Sequence, residues 1–205
     1  GNHKSSHGSL FNGSKSKAVA ILGWGLMGQS AILDEAVEEM ANDGITVIIA
    51  AGNENADACN FSPYASSAIT VAAVDDSLTG SHARSSFSNY GSCIDLFAPG
   101  STITGASNVA TDGSVQAQGT STAAGMAAGV ATLYLSELSQ EYPGDKKQGP
   151  TKVKEKMTRR AEPNVILDAG LGTTANLMTQ TTSSMCRYAS QCPAGRKCRH
   201  DGTCG

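Results

Sequence analysis

The chain has 205 residues, 40% of them hydrophobic and 16% charged, with a formal net charge of −3 at pH 7. That length holds one sizeable domain and a small appendage. The mild acidic balance argues against a nucleic-acid partner, and no run of eighteen apolar residues could span a membrane.

Residues 1–17, "GNHKSSHGSLFNGSKSK", form a polar N-terminal segment with no apolar core of the signal-peptide kind. That says little about a chain that starts inside a longer precursor. "KAVAILGWG" then reads as a buried strand running into a glycine-rich loop, and "SAILDEAVEEMANDG" as a helix closed by Gly44. "ITVIIAAGN" is a β-branched run of the kind a parallel sheet buries on both faces. Strand, helix and strand within about thirty residues make a βαβ crossover. "AITVAAVDD" and "CIDLFAPG" predict two more strands, and "TSTAAGMAAGVATLYLSELSQEY" a long apolar helix opening at Ser121. "KKQGPTKVKEKMTRRAE" reads as a loop and a surface helix, and "TTANLMTQTTSS" as a terminal segment passing into a linker. With 23 glycines and 5% aromatics, the pattern is that of an α/β protein, a parallel sheet flanked by helices.

Six cysteines are unevenly spread: Cys59 and Cys93 in the main body, and Cys186, Cys192, Cys198 and Cys204 at a six-residue spacing in the tail. The tail reads as a disulfide-stapled module, and hence the protein as secreted or lumenal. It lacks the close Cys-x-x-Cys pairs that usually grip zinc. Its four cysteines allow three connectivities, and Arg187, Arg196, Lys197 and Arg199 give it a basic surface. Two sequons, at Asn12 and Asn60, permit glycosylation in such a compartment.

The chemistry centres on Ser121. It sits where a helix begins, so unpaired backbone N–H groups and the positive end of the helix dipole face it, and these could hold an oxyanion. An ordinary N-cap is the commoner role for such a residue. A second motif bears on the choice. "AAGN", residues 50–53, ends a buried strand with small residues and then an amide. In α/β proteins such a loop faces the ligand crevice, and Asn53 there can donate a hydrogen bond; its alternative role is that of a turn residue.

These motifs together resemble the subtilisin-like serine proteases, in particular the proteinase K type. "ITVIIAAGNENADACNFSPYASSAITVAAVDD" looks like the family's segment around its oxyanion-hole asparagine. "RSSFSNYGSCIDLFAPG" matches a further stretch, and "GTSTAAGMAAG" is similar to the nucleophile motif. The resemblance runs from about Ala18 to Glu141, with weaker agreement up to the linker. It implies Ser121 as nucleophile, Asn53 as oxyanion donor, Ala50, Ala51 and Gly52 lining the substrate cleft, and Gly25 on another wall. It also implies a disulfide between Cys59 and Cys93. Asp95 matches a position that binds structural calcium in some relatives, and equally suits a turn carboxylate. No cofactor is required for the chemistry implied.

Two members of the family's machinery are missing. The catalytic aspartate and histidine precede the serine in these proteases, yet His3, His7 and His82 lack the family context, as do Asp34 and Asp43; His82, in "TGSHARSS", reads as part of a surface loop. The expectation is the C-terminal part of a subtilase catalytic domain over residues 18–180, followed by a cysteine-rich module at 181–205. Its substrate would be a polypeptide, with the acid and base lying upstream or on a second chain. The competing expectation is an inactive subtilase-like binding or regulatory protein. The departures Thr122, Gly125, Met126 and Ala127 from the family motif raise the odds of relaxed selection. An α/β-hydrolase elbow at Ser121 with Asp168 and His200 is a poorer fit, because His200 falls within the cysteine-rich tail and no strand ends suitably at Thr120.

Overall fold

A computed structural model describes residues 18–76, 82–109, 111–141, 149–170 and 174–181. The N-terminal segment, with His3, His7 and the Asn12 sequon, lies outside the described residues, as does the tail with its four cysteines and His200. In chain order the elements begin with β1 (Ala18–Leu22), β2 (Leu26–Met27), α1 (Ala31–Asn42) and β3 (Ile45–Ala50). A 3-10 turn (Ala58–Asn60), β4 (Phe61–Ser62), β5 (Ile69–Asp76), β6 (His82–Arg84) and β7 (Leu96–Pro99) follow. Then come β8 (Ile103–Ala106), β9 (Ser114–Ala117), α2 (Thr120–Glu141) and α3 (Gly149–Arg160). The last are β10 (Glu162–Pro163), β11 (Ile166–Leu167) and β12 (Leu177–Met178).

The main sheet has the order β1-β3-β5-β7-β12-β10, and the first four strands are mutually parallel. Parallel neighbours need crossovers that cover both faces, which is why β3 is buried throughout its middle. The alternation of side chains divides β3 between two layers. Ile48 joins the core under α2 and α3, whereas Val47 and Ile49 meet Val37 of α1 on the opposite face. The expected α/β architecture is therefore the observed one.

Helix α2 owes its position to alanines. Ala123, Ala124, Ala127, Ala128 and Ala131 are buried at i, i+1, i+4, i+5 and i+8, which is one face of a helix. Their small side chains pack against Ile69, Val71, Ala73 and Ala98 of the sheet. Further along, Tyr134 is fully buried, and its hydroxyl donates to the Gln180 carbonyl at 2.6 Å, tying in the C-terminal strand region. Burial raises its phenol above the usual tyrosine pKa.

Five features differ from the sequence expectations. Strand β1, expected to be buried, has no buried residue, because it lies at the end of the strand order among the described residues, with Ala18 and Ile21 exposed. Helix α2 opens one residue earlier, at Thr120. Helix α3 is not a surface helix only, because Val153 and Met157, one turn apart, are fully buried beneath its cationic face. His82 lies not in a surface loop but half-buried in β6, paired with Asp76 of β5 and Ile166 of β11. The hairpin of β8 and β9 follows no hydrophobic alternation, since β9 is exposed throughout and β8 at three of its four residues.

Candidate active site

The cleft opens beyond the carboxyl ends of β1 and β3, where parallel α/β sheets bind ligands. It encloses about 230 Å³. One wall is Gly23, Trp24, Gly25 and Met27, and the opposite wall is Phe61, Ser62, Pro63 and Tyr64. The floor is Ala50, Ala51, Gly52 and Asn53, with Thr120 beside it. All four residues expected to line a cleft, Gly25, Ala50, Ala51 and Gly52, thus lie on this one.

Asn53 and the start of α2 are locked together. Asn53 Oδ1 accepts from the Thr120 backbone N–H at 2.9 Å and from the Thr120 hydroxyl at 3.1 Å. Thr120 Oγ1 in turn accepts from the Gly52 N–H at 3.0 Å. The asparagine therefore satisfies one orphan donor of the helix from outside, as an N-cap does from within. Because its carbonyl oxygen is engaged, its Nδ2 is left to donate elsewhere.

Ser121 is exposed in the first turn of α2. Gly119 precedes the turn with φ +141°, a backbone conformation that disfavours other residues. A methyl group at Gly119 would lie 3.2 Å from Ser121 Oγ and 3.6 and 3.7 Å from Asn53 Nδ2 and Oδ1. The Ser121 hydroxyl and the Asn53 amide thus flank one small space that a side chain would fill. On the other side, a methyl group at Gly23 would lie 3.4 Å from Ser121 Cβ. Among the described residues nothing hydrogen-bonds to the Ser121 hydroxyl. The one described histidine, His82, lines a different cleft with Met126, Val130 and Glu162.

A residue without a role in the sequence reading supports this floor. Asn89 is fully buried, and its Oδ1 accepts from the N–H groups of Glu54 and Ala56 at 3.1 and 2.9 Å. Its Nδ2 donates to the Ala51 carbonyl at 2.8 Å and to Glu54 Oε2 at 2.9 Å. Gly52, at φ +100°, leaves room for this amide, and a Cβ there would collide with it. Asn89 lies in "FSNYG", a stretch singled out by its resemblance, but its partners are 33 to 38 residues away, so local pattern could not reveal its role.

Cys59 and Cys93 form the expected disulfide, with Cα atoms 5.3 Å apart. It joins the segment below the cleft wall to the turn before β7. Asp95 meets an ammonium: its Oδ1 lies 2.8 Å from Lys154 Nζ, and its Oδ2 accepts from the Thr70 N–H at 2.9 Å.

Fold and cleft define an α/β protein of subtilisin-like architecture. The chain belongs to the subtilase family, peptidase S8, whose pattern it matches over residues 12–188. It is 44% identical over 144 residues to an extracellular serine proteinase of Thermus sp. strain Rt41A, covering 70% of this chain and 32% of that one. It is 49% identical over 118 residues to alkaline serine exoprotease A of Vibrio alginolyticus, covering 57% of this chain and 21% of that protein. The crystal structure of a cold-adapted subtilisin-like serine proteinase superposes with a TM-score of 0.67 at 40% identity, covering 82% of this chain and 55% of that one. This chain therefore spans only about a fifth to a half of these relatives.

Proposed function

We propose that this chain supplies the nucleophile and oxyanion half of a serine endopeptidase. The observation that carries this reading is the clamp of Asn53 on Thr120, which engages the amide oxygen and leaves Nδ2 as the donor of a side chain that borders the space beside Ser121 Oγ. The Ser121 oxygen attacks the peptide carbonyl carbon as its proton passes to a base, and the carbonyl oxygen becomes an oxyanion. Asn53 Nδ2 and the Ser121 backbone N–H donate to that oxyanion. As the C–N bond breaks, the amine leaves with the proton. Water then cleaves the acyl ester, the base taking the water's proton and returning one to Ser121 Oγ. The base and its orienting carboxylate come from polypeptide outside the described residues, either a second chain or a further part of a longer protein.

Polypeptide substrate would lie between the Gly23–Gly25 and Phe61–Tyr64 walls. The Cys59–Cys93 bond fits an oxidising compartment and hence secretion. Asn60 is exposed beside the cleft wall and offers its sequon for glycosylation there.

A second reading, a non-catalytic binding or regulatory protein, draws on the lack of a histidine near Ser121 among the described residues. A fluorophosphonate probe separates the two, applied to native material and to Ser121→Ala. Labelling at Ser121 together with a co-purifying polypeptide is expected for the protease half. No labelling of folded native material, in the presence of everything that co-purifies, would sink the catalytic reading. For the active assembly, Asn53→Ala is expected to lower kcat by roughly 10²–10³-fold.

A further inference from the structure

The loop from Pro63 to Ala68 carries two residues of the cleft wall, Pro63 and Tyr64, and it is fastened from both sides. From α1, Asp34 Oδ1 accepts from the Tyr64 N–H at 2.8 Å, and Glu38 accepts from the Ser66 N–H at 2.8 Å and the Ser67 hydroxyl at 2.5 Å. From α3, Lys154 Nζ donates to the Ser66 carbonyl at 3.0 Å and the Ala68 carbonyl at 2.7 Å. The same nitrogen pairs with Asp95 Oδ1 at 2.8 Å. An ammonium has three protons, and here three oxygens take one each.

Asp95 is the residue whose family resemblance implied structural calcium, so the donor set can be tested against that ion. Calcium takes six to eight oxygens at about 2.3–2.6 Å. This cluster offers three protein oxygens around one point, only one of them a carboxylate's, and they stand 2.7–3.0 Å from the lysine nitrogen. The second Asp95 oxygen is turned away to Thr70. A divalent ion placed among these oxygens would have to displace the ammonium and then lie beside an unpaired positive charge. The residues do not fit calcium. They fit a monovalent cation already tethered to the chain.

We propose that Lys154 is a covalently attached counter-ion that fastens the cleft-wall loop, so that this cluster needs no metal. The single positive charge of Lys154 neutralises Asp95, and its protons bind the two carbonyls that the loop turns inward. The loop would then hold its place in calcium-free medium, and the shape of the Pro63–Tyr64 wall would depend on α3.

The test is thermal unfolding of the native protein in chelator and in millimolar calcium, alongside Lys154→Met and Asp95→Asn. The native protein is expected to unfold at the same temperature in both media, or to show a calcium shift that Asp95→Asn retains unchanged. Lys154→Met keeps the stem of the side chain and loses the charge, and it should unfold roughly 3–8 °C lower. A chelator-induced fall that Asp95→Asn abolishes would overturn the proposal, as would a Lys154→Met variant that unfolds with the native protein. Should that variant not fold, terbium luminescence of the native protein decides. Terbium binding that Asp95→Asn removes would place a metal at the cluster and overturn the proposal, and binding unaffected by that substitution would uphold it.

Discussion

The two sides of the Ser121 turn are built very differently. On the side of β3, Asn53, Thr120, Gly52 and Asn89 form a hydrogen-bond network at the end of a strand buried through its middle. On the side of β1, the strand lies at the edge of the sheet among the described residues, with its Ile21 50% exposed and Trp24, in the loop beyond it, 52% exposed. The outward face of α2 adds Met126 at 48% and Leu133 at 52%. A parallel sheet normally covers both faces and does not end on an apolar edge, so this is where covering polypeptide would be expected. The β3 side is thus the rigid one and the β1 side the open one.

The largest effect should come from removing the staple on the rigid side. Replacing both Cys59 and Cys93 by serine frees a loop with a sequence separation of 34. The chain-entropy estimate for that loop is about 4 kcal/mol, measurable as a lowered denaturant midpoint with an intact fluorescence transition. Next is Asn89→Ala, which strands the buried Ala51 carbonyl and two part-buried backbone N–H groups. A loss of roughly 2–3 kcal/mol is expected, with the Gly52–Asn53 segment exchanging amide protons faster. A loss under half of that would mean that the floor does not rest on Asn89.

On the open side the sign should reverse. Gly125 is exposed in α2, with nothing within 4 Å of the position a Cβ would take. Gly125→Ala should stabilise the chain by about 1 kcal/mol. If it destabilises the native assembly instead, another polypeptide packs on that face. The smallest effect is one of pH. The Ser67 hydroxyl is the chief cause of a lowered Glu38 pKa, opposed by partial desolvation and aided by the Ser66 N–H. A carboxylate depressed in the folded state adds stability above its unfolded pKa and loses it as pH falls through the folded one. Glu38→Gln should therefore flatten the acid limb of the stability curve between the ordinary glutamate range and lower pH. An unchanged limb would count against the Glu38–Ser67 bond.

What could be read in advance depended on how local each signal was. The β-branched run of β3 and the alanine spacing of α2 carry their own periodicity, so both elements were legible. Asn53 and Ser121 stand out in the sequence because each lies beside the boundary of an element, Asn53 in the turn after β3 and Ser121 in the first turn of α2. The clamp on Thr120 was not, since it joins residues 67 apart. Asp95 suits a turn carboxylate or a calcium ligand when its own segment is considered, whereas its partner Lys154 sits in a helix whose sequence looks like surface alone. An ion pair across 59 positions leaves no trace in local pattern. The β8–β9 hairpin escaped notice because exposed strands show no apolar alternation.

The alanine face of α2 has a consequence for how this gene can vary. A helix seated on a sheet through five side chains of one carbon each has no slack, so added methylenes there would push the helix outward. Such a shift would carry the Ser121 turn away from Asn53, which holds that turn through its two hydrogen bonds from Thr120. Drift should therefore be written along α2 with a helical beat, with larger side chains forbidden at 123, 127 and 131.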